Sequence, residues 1–483
     1  SQVHRQVVRK EIDLGEVVLD PVLKLFFIEL ETGAPSKLKE EALDALEAQW
    51  GFTDLLFEVD EAALNNDSQA DLKTVTVGIR DKQKIVAIWP GLQERVLGVG
   101  VDVGSTTIAG HLCDLTTGAV LSTAGIMNPQ IRFGEDLMSR VSYVMMNSNG
   151  ELDLTRAVRE GVQKLIYYAA NEARIDLSEI LEIVFVGNPI MHHLFLGINP
   201  VELGGAPFAL SIDDNFECFA KKLDLKLSQG TRVFSLPCIA GHVGADAASA
   251  TLAEKPHTKK EISLIVDVGT NAEIILGNNQ RILAASSPTG PAFEGAQISC
   301  GQRAANGAIE RVRIDPLTLE PRYSVIGIDG WSDEENFNCR KNFQNITGIC
   351  GSGIIEVMAE MYLSEILTSD GIIRGDLQKK SNRIIKNGRT FSYKLSEKVI
   401  ITQNDVRAIQ LAKAALHAGF QLLMDKLNID HVDKVYLAGA FGSHIDTMRA
   451  TVNTVAAVDQ LGRRCVALSA CFLERHPVPR RLV

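Results

Sequence analysis

The sequence predicts an α/β protein in which one strand–turn–strand half is built twice, behind a small α+β domain. Three observations carry that prediction. The segment Val101-Asp102-Val103-Gly104-Ser105-Thr106-Thr107 recurs, lightly altered, as Val266-Asp267-Val268-Gly269-Thr270-Asn271. Each copy sits between two apolar runs, 96–101 and 107–112 around the first, 262–266 and 272–276 around the second. That is the pattern of a tight hairpin between buried strands. Each copy is also followed by a further apolar strand ending in glycine. These are Ile183-Val184-Phe185-Val186-Gly187-Asn188 and Val435-Tyr436-Leu437-Ala438-Gly439-Ala440-Phe441-Gly442-Ser443.

Residues 1–95 read as the separate small domain. An extended stretch, 17–31, runs to the Gly33-Ala34-Pro35 turn, and a helix over 36–50 follows with Leu38, Ala42, Ala45 and Leu46 on one face. Strands are expected at 55–59, 73–79 and 84–89, closed by Pro90-Gly91. This part carries no Gly-rich loop and no catalytic cluster, so docking or spacing is its expected role. Residues 96–483 hold the doubled core, the first half about 96–258 and the second about 259–483. Helices are expected at 151–173 and at 402–427, the latter opened by the capping pattern Thr402-x-x-Asp405. Gly/Pro turns and polar strands over about 280–400, including Gly290-Pro291-Ala292-Phe293-Glu294-Gly295-Ala296, read as an insertion that carries partner specificity.

At 483 residues and 46% hydrophobic, the chain can bury more than one core. A net charge of −11 argues against a nucleic-acid partner. No apolar run approaches the roughly 18 residues of a membrane span, and no signal peptide is visible, so a cytoplasmic location is the expectation. None of the eight cysteines forms a C-x-x-C pair, which excludes zinc-ribbon and ferredoxin spacing.

A hairpin tip of Gly, Ser and Thr offers backbone N–H groups and hydroxyls to an anion, beside an Asp able to hold a hydrated divalent cation. Two such tips facing each other would clamp a phosphate chain. Glycines at strand ends admit a flat ligand where a Cβ would clash. The order of Asp-Gly hairpin, strand-Gly-Asn, Asp-Gly hairpin and strand-Gly-x-x-Gly resembles the actin/Hsp70/sugar-kinase (ASKHA) superfamily, with its duplicated RNase H-like ATPase core. Gly348-Ile349-Cys350-Gly351-Ser352-Gly353, opening an apolar helix, and Gly241-His242-Val243-Gly244-Ala245-Asp246 fit the same plan.

Longer motifs narrow the resemblance. Gly290-Pro-Ala-Phe-Glu-Gly-Ala-Gln-Ile-Ser-Cys-Gly301, Asn306-Gly-Ala-Ile-Glu310, Gly187-Asn-Pro-Ile-Met-His-His193 and Leu411-Ala-Lys-Ala-Ala415 resemble the ATP-dependent reductive activators of corrinoid proteins, the RACo type. The likeness runs from Val3 to about Asp446; beyond it the chain departs from the family's Gly-Asn-Ala turn and closing helix. It implies ATP and Mg²⁺ as ligands, reduction of Co(II) to Co(I), and a corrinoid protein or corrinoid-dependent methyltransferase as partner. It also implies a homodimer, and a [2Fe–2S] cluster in an N-terminal ferredoxin domain that this chain lacks, Ser1 lying just after it.

By that resemblance Asp102 and Asp267 hold Mg²⁺ through water. Gly104, Ser105, Thr106, Thr107, Gly269, Thr270 and Asn271 serve the phosphates, and either Asp267 or Asp246 orients the attacking water. Gly439, Ala440, Phe441 and Gly442 carry the adenosine, and Gly351 with Gly353 permits close packing between the halves. Lys413 either reaches the nucleotide or is a solvated helical lysine. His192 and His193, adjacent on a helix, point to different faces and read as capping or satisfied core histidines rather than metal ligands. His111 and His444 receive the same reading. The alternatives are a metabolite kinase on the same core, a chaperone-like module, or a nucleotide-binding docking scaffold without turnover.

Overall fold

The computed structural model describes residues 19–58, 72–269, 271–335, 337 and 345–438, and it divides into two compact units, Ser1–Ala248 and Ser249–Val483. In the first unit, strands β1 (Leu23–Glu29), β2 (Leu56–Phe57), β3 (Thr74–Arg80) and β4 (Lys84–Pro90) form a four-stranded sheet in the order β1-β3-β4-β2. Helix α1 (Leu38–Trp50) lays Leu38, Ala42, Ala45 and Leu46 into a core with Ile28, Val75, Val77, Ile79 and Ile85. The helix stops at Gly51, whose φ of 72° lets its N–H reach the carbonyls of Leu46 and Glu47.

The same unit holds a six-stranded sheet in the order β7-β6-β5-β8-β10-β9. Its strands are β5 (Leu97–Val103), β6 (Thr107–Asp114), β7 (Val120–Met127), β8 (Ile180–Gly187), β9 (Phe216–Phe219) and β10 (Arg232–Ser235). Strands β5, β6 and β7 are antiparallel, whereas β8 runs parallel to β5 and β10 parallel to β8. This is the RNase H-like half that the hairpin and the following apolar strand predict. Asp136 and Asn188 cap helices α2 (Leu137–Met146) and α4 (Pro189–Leu196), and α3 (Gly150–Ala173) between them buries Leu154, Val158, Val162, Leu165 and Ile166. Helix α5 (Ala245–Glu254) ends this region.

A buried charge network joins the small domain to this sheet. Arg80 on β3 donates from Nε to Glu182 on β8 at 2.7 Å and from Nη1 to Glu217 on β9 at 3.1 Å. Arg232 on β10 pairs with Glu58 and lies 3.5 Å from Glu217. Desolvation pushes the Glu182 carboxyl up to about 7 against the pull of Arg80. An apolar seam of Leu23, Val86, Ala87, Val96 and Leu181 runs beside it. The small domain is thus packed onto the core by charge and apolar contact together.

The second unit repeats the core. Strands β11 (Ser263–Val268), β12 (Ala272–Gly277) and β13 (Ile282–Ser287) are antiparallel neighbours. The inserted elements follow: β14 (Ala308–Ile314), β15 (Pro321–Val325) and β16 (Gly348–Ile349) in one sheet, helix α6 (Gly351–Leu363), and β17 (Ile384–Asn387), β18 (Thr390–Lys394) and β19 (Ile400–Ile401) in another. Helix α7 (Gln403–Leu427) then leads to β20 (Lys434–Ala438), which closes the core sheet parallel to β11 in the order β13-β12-β11-β20. Thr402 and Asp405 cap α7 reciprocally, as their spacing predicts. The insertion starts later than position 280, because β13 belongs to the core sheet. Its Ala284-Ala285-Ser286-Ser287 end is an edge strand covered on one side by α7. Among the described residues no helix is long and apolar enough to cross a membrane.

Replacing Arg80 with Met leaves Glu182 buried without its partner and is expected to lower stability by about 3–5 kcal/mol. Adding Glu182→Gln to that variant should restore much of the loss. Urea unfolding of the two variants measures both.

Candidate active site at the strand ends

The pairing of three strands assembles the first site. Asp102 lies opposite Ala109 on β6 and Val186 on β8, and Val103 lies opposite Ile108 and Gly187. The half-buried Asp102 and the Gly104–Thr106 loop therefore stand beside the Gly187-Asn188 turn. Asn188 caps α4, its Oδ1 accepting from the Met191 N–H at 3.0 Å. The Gly241–Asp246 segment closes over this turn. A Cβ on Gly244 would fall 2.4 Å from the Gly187 carbonyl oxygen, 2.6 Å from Asn188 Cα and 2.7 Å from Asp246 Oδ1. Only glycine permits that approach, and it brings Asp246 to the strand ends. Desolvation pushes the Asp246 carboxyl up to about 6. An acid–base group so placed is half-ionised close to neutral pH.

Carbonyls and amides of the first loop are treated unequally. The Gly104 carbonyl accepts from Asn128 Nδ2 at 2.8 Å, the Ser105 carbonyl from Arg140 Nη2, and the Thr106 carbonyl from the Asn128 N–H at 2.8 Å. Among the described residues no backbone acceptor takes the N–H of Gly104, Ser105 or Thr106. Amides left in this state at a hairpin tip have the geometry an anion can use.

The second hairpin differs. Asp267 lies opposite Glu273 and Ala438, matching Asp102 in register. Gly269, however, gives its N–H to the Asn271 carbonyl at 3.0 Å, and its own carbonyl accepts from Thr289 Oγ1 at 3.1 Å. Gly269 thus offers close backbone approach rather than an amide. Glu294 Oε1 lies 3.7 Å from the place a Cβ on Gly269 would take. Thr289 and Glu294 belong to the Gly290–Gly295 neighbourhood, which the sequence marks as a family motif without showing that it folds against this loop. Thr270, Gly439, Ala440, Phe441, Gly442, His444 and Asp446 lie outside the described residues.

Gly353, Lys413 and the histidines have definite surroundings. A Cβ on Gly353 would sit 2.4 Å from the Ile309 carbonyl oxygen on β14, a close approach within the second unit. Lys413 is not a solvated helical lysine. It borders a cavity of about 40 Å³ with Met358, Tyr362, Val406 and Ile409, and burial drives its ammonium down to about 7. His193 is satisfied, its Nδ1 2.8 Å from the Pro189 carbonyl and its Nε2 accepting from the Ser211 N–H at 3.1 Å. His192 is fully buried, stacked against Phe185, and neither ring nitrogen has a hydrogen-bond partner. The half-buried His111 pairs with Thr123 Oγ1 at 2.9 Å.

Comparison with known proteins places the chain in a family. Residues 97–259 match the profile described as the RACo middle region, and residues 261–459 the profile described as the C-terminal domain of RACo, the ASKHA domain. The chain belongs to the RACo family. The two profiles give the two core halves different names, although both halves carry the same hairpin and parallel strand. A corrinoid activation enzyme of Eubacterium limosum is 33% identical over 373 residues, covering 74% of this chain and 60% of the relative, so the chain spans about three-fifths of that protein's length. A reductase of Methanosarcina barkeri, named for its Co(II) methylated amine-specific corrinoid protein, is 25% identical over 77% of this chain and 69% of the relative. The solved reductive activator for a corrinoid iron–sulfur protein superposes with a TM-score of 0.75 at 28% identity, covering 98% of this chain and 78% of that one.

Burial holds His192 down at about 4, below the ordinary value of 6.5 that the unfolded chain would show. The unfolded state therefore binds the extra proton first, and this site's stability is present above pH 6.5 and is lost as pH falls toward 4. The loss should reach about 3 kcal/mol, and His192→Phe should flatten that limb of a stability–pH curve.

Proposed function

We propose that the chain is the nucleotide-binding portion of an ATP-dependent reductive activator, which couples ATP binding and hydrolysis to one-electron reduction of Co(II) to Co(I) in a corrinoid protein or corrinoid-dependent methyltransferase. The observation that carries the proposal is the first strand-end site. Loop amides lacking a backbone acceptor, a half-buried Asp102 and an Asp246 raised toward neutrality stand together at one sheet edge, in a chain whose relatives act on corrinoid proteins.

ATP phosphate oxygens would take the amides of Gly104, Ser105 and Thr106, with the Ser105 and Thr106 hydroxyls beside them. Asp246 would orient the attacking water and accept its proton as the carboxylate. Asp102 and Asp267 each stand at a strand end, and among the described residues no three carboxylate, histidine or cysteine side chains group into an all-protein metal cage. That donor set suits Mg²⁺ carried by phosphate oxygens and water, the ion neutralising charge on the phosphates. Lys413, Gly351 and Gly353 remain proposed contributors to the nucleotide pocket through the second unit.

The cysteines described here do not suit a [2Fe–2S] cluster. Cys218, Cys238 and Cys350 are buried in separate elements, and burial pushes the Cys238 thiol up to about 12. The electron is assigned to the [2Fe–2S] ferredoxin domain that the family resemblance implies. A corrinoid partner that binds the ATP-loaded activator more tightly in one cobalt state would have its midpoint moved. Coupling of roughly 1–3 kcal/mol corresponds to about 40–130 mV for one electron.

Mixing the chain with a corrinoid protein should stimulate ATP hydrolysis, and Asp102→Asn should lower the stimulated rate by about 10²-fold or more. Potentiometry of the partner's cobalt should show a shift that requires both the activator and ATP. Unstimulated turnover together with an unmoved midpoint would count against the assignment, and ADP release with small polyols alone would favour a metabolite kinase.

A further inference from the structure

Behind the Gly104–Thr106 loop runs a segment, residues 128–140, three of whose polar side chains are too deeply buried for a surface role. Asn128, Gln130 and Arg140 are all fully buried. A guanidinium is costly to bury unless its N–H groups find acceptors. Arg140 finds them on several elements at once. Nε donates to the Gly134 carbonyl at 3.0 Å, Nη1 to Gln130 Oε1 at 3.1 Å and toward Met191 Sδ at 3.3 Å, and Nη2 to the Ser105 carbonyl. Gln130 is itself anchored, donating from Nε2 to the Leu154 carbonyl on α3 at 2.9 Å. Asn128 holds the residues on either side of Ser105, through Nδ2 to the Gly104 carbonyl and through its N–H to the Thr106 carbonyl, each at 2.8 Å.

Three consecutive loop carbonyls are therefore gripped from one side. In a trans peptide the C=O of one residue and the N–H of the next point in opposite directions. Holding the Gly104 and Ser105 carbonyls inward turns the Ser105 and Thr106 amides outward. We propose that Asn128 and Arg140 are positioning residues of the phosphate loop, aiming its amides at a bound phosphate anion, with the Arg140 guanidinium supplying a fixed positive charge behind the loop. The inference rests on reading the strand ends as an ATP site. It adds a determinant that touches no ligand and lies about a helix's length along the chain from the loop it serves.

Arginine is required for this by shape. A lysine has one ammonium and cannot reach the Gly134, Gln130 and Ser105 acceptors together. The test is calorimetric titration of the full chain with Mg–ATP, Mg–ADP and AMP, for the unaltered protein, Arg140→Lys and Asn128→Ala, with a thermal melt of each. Both variants should bind ATP about tenfold or more weakly, ADP less affected, and AMP nearly unchanged. If Arg140→Lys does not fold, Asn128→Ala carries the test. A variant that binds ATP as tightly as the unaltered protein overturns the positioning role. So does equal weakening of all three nucleotides, which would mark a purely structural part. Absence of ATP binding by the unaltered protein would instead overturn the ATP reading itself, a result distinct from either.

Discussion

The register of β5 between β6 and β8 is the constraint on which the rest depends. It sets Asp102 opposite Val186, and Val103 opposite Gly187, so that the hairpin loop and the strand-end turn emerge at one edge. Strand side chains alternate faces, and a slip of one residue would exchange Asp102 with Val101 or Val103, both buried in the apolar core. The cost of burying a carboxylate there without a partner holds the register in place. The same pairing recurs in the second unit, where Asp267 lies opposite Ala438 on the parallel strand.

In each unit one buried group has its charge set by desolvation more than by ion pairing. Asp246 is raised to about 6 and Lys413 is lowered to about 7, in both cases chiefly by burial. One is a carboxylate able to hold or release a proton near neutrality, the other an amine that has lost much of its charge. The ion pairs lie elsewhere. They join the small domain to the first sheet through Arg80, Glu182, Glu217 and Arg232, and the inserted strand β14 to helix α6 through Arg311, Arg313 and the fully buried Glu356. Ion pairs thus join modules, while Asp246 beside the Gly187-Asn188 turn is shifted chiefly by burial.

The hairpins, the parallel strands after them and the capped helix α7 were legible because each leaves a local signature: alternation, a glycine turn, or a Thr-x-x-Asp cap. The parts that escaped have no local signature. β13 reads as the start of the insertion because Ala and Ser fill it, and only the pairing with β12 assigns it to the core sheet. Thr289 and Glu294 meet the second loop through a chain reversal that no spacing announces. Asn128 and Arg140 look like ordinary polar residues until their donors are seen on three successive carbonyls. His192 could not be told from His193 in sequence, since satisfaction of a buried ring depends on what the tertiary fold brings within reach.

The central claim is that the Gly104–Thr106 amides receive the phosphates of ATP. Hydrogen exchange of these amides, resolved by NMR with and without Mg–ATP, tests it most directly. With no backbone acceptor of their own, they should exchange fast in the free protein and become strongly protected on adding nucleotide. ATP binding that leaves these three amides exchanging as before would contradict the account.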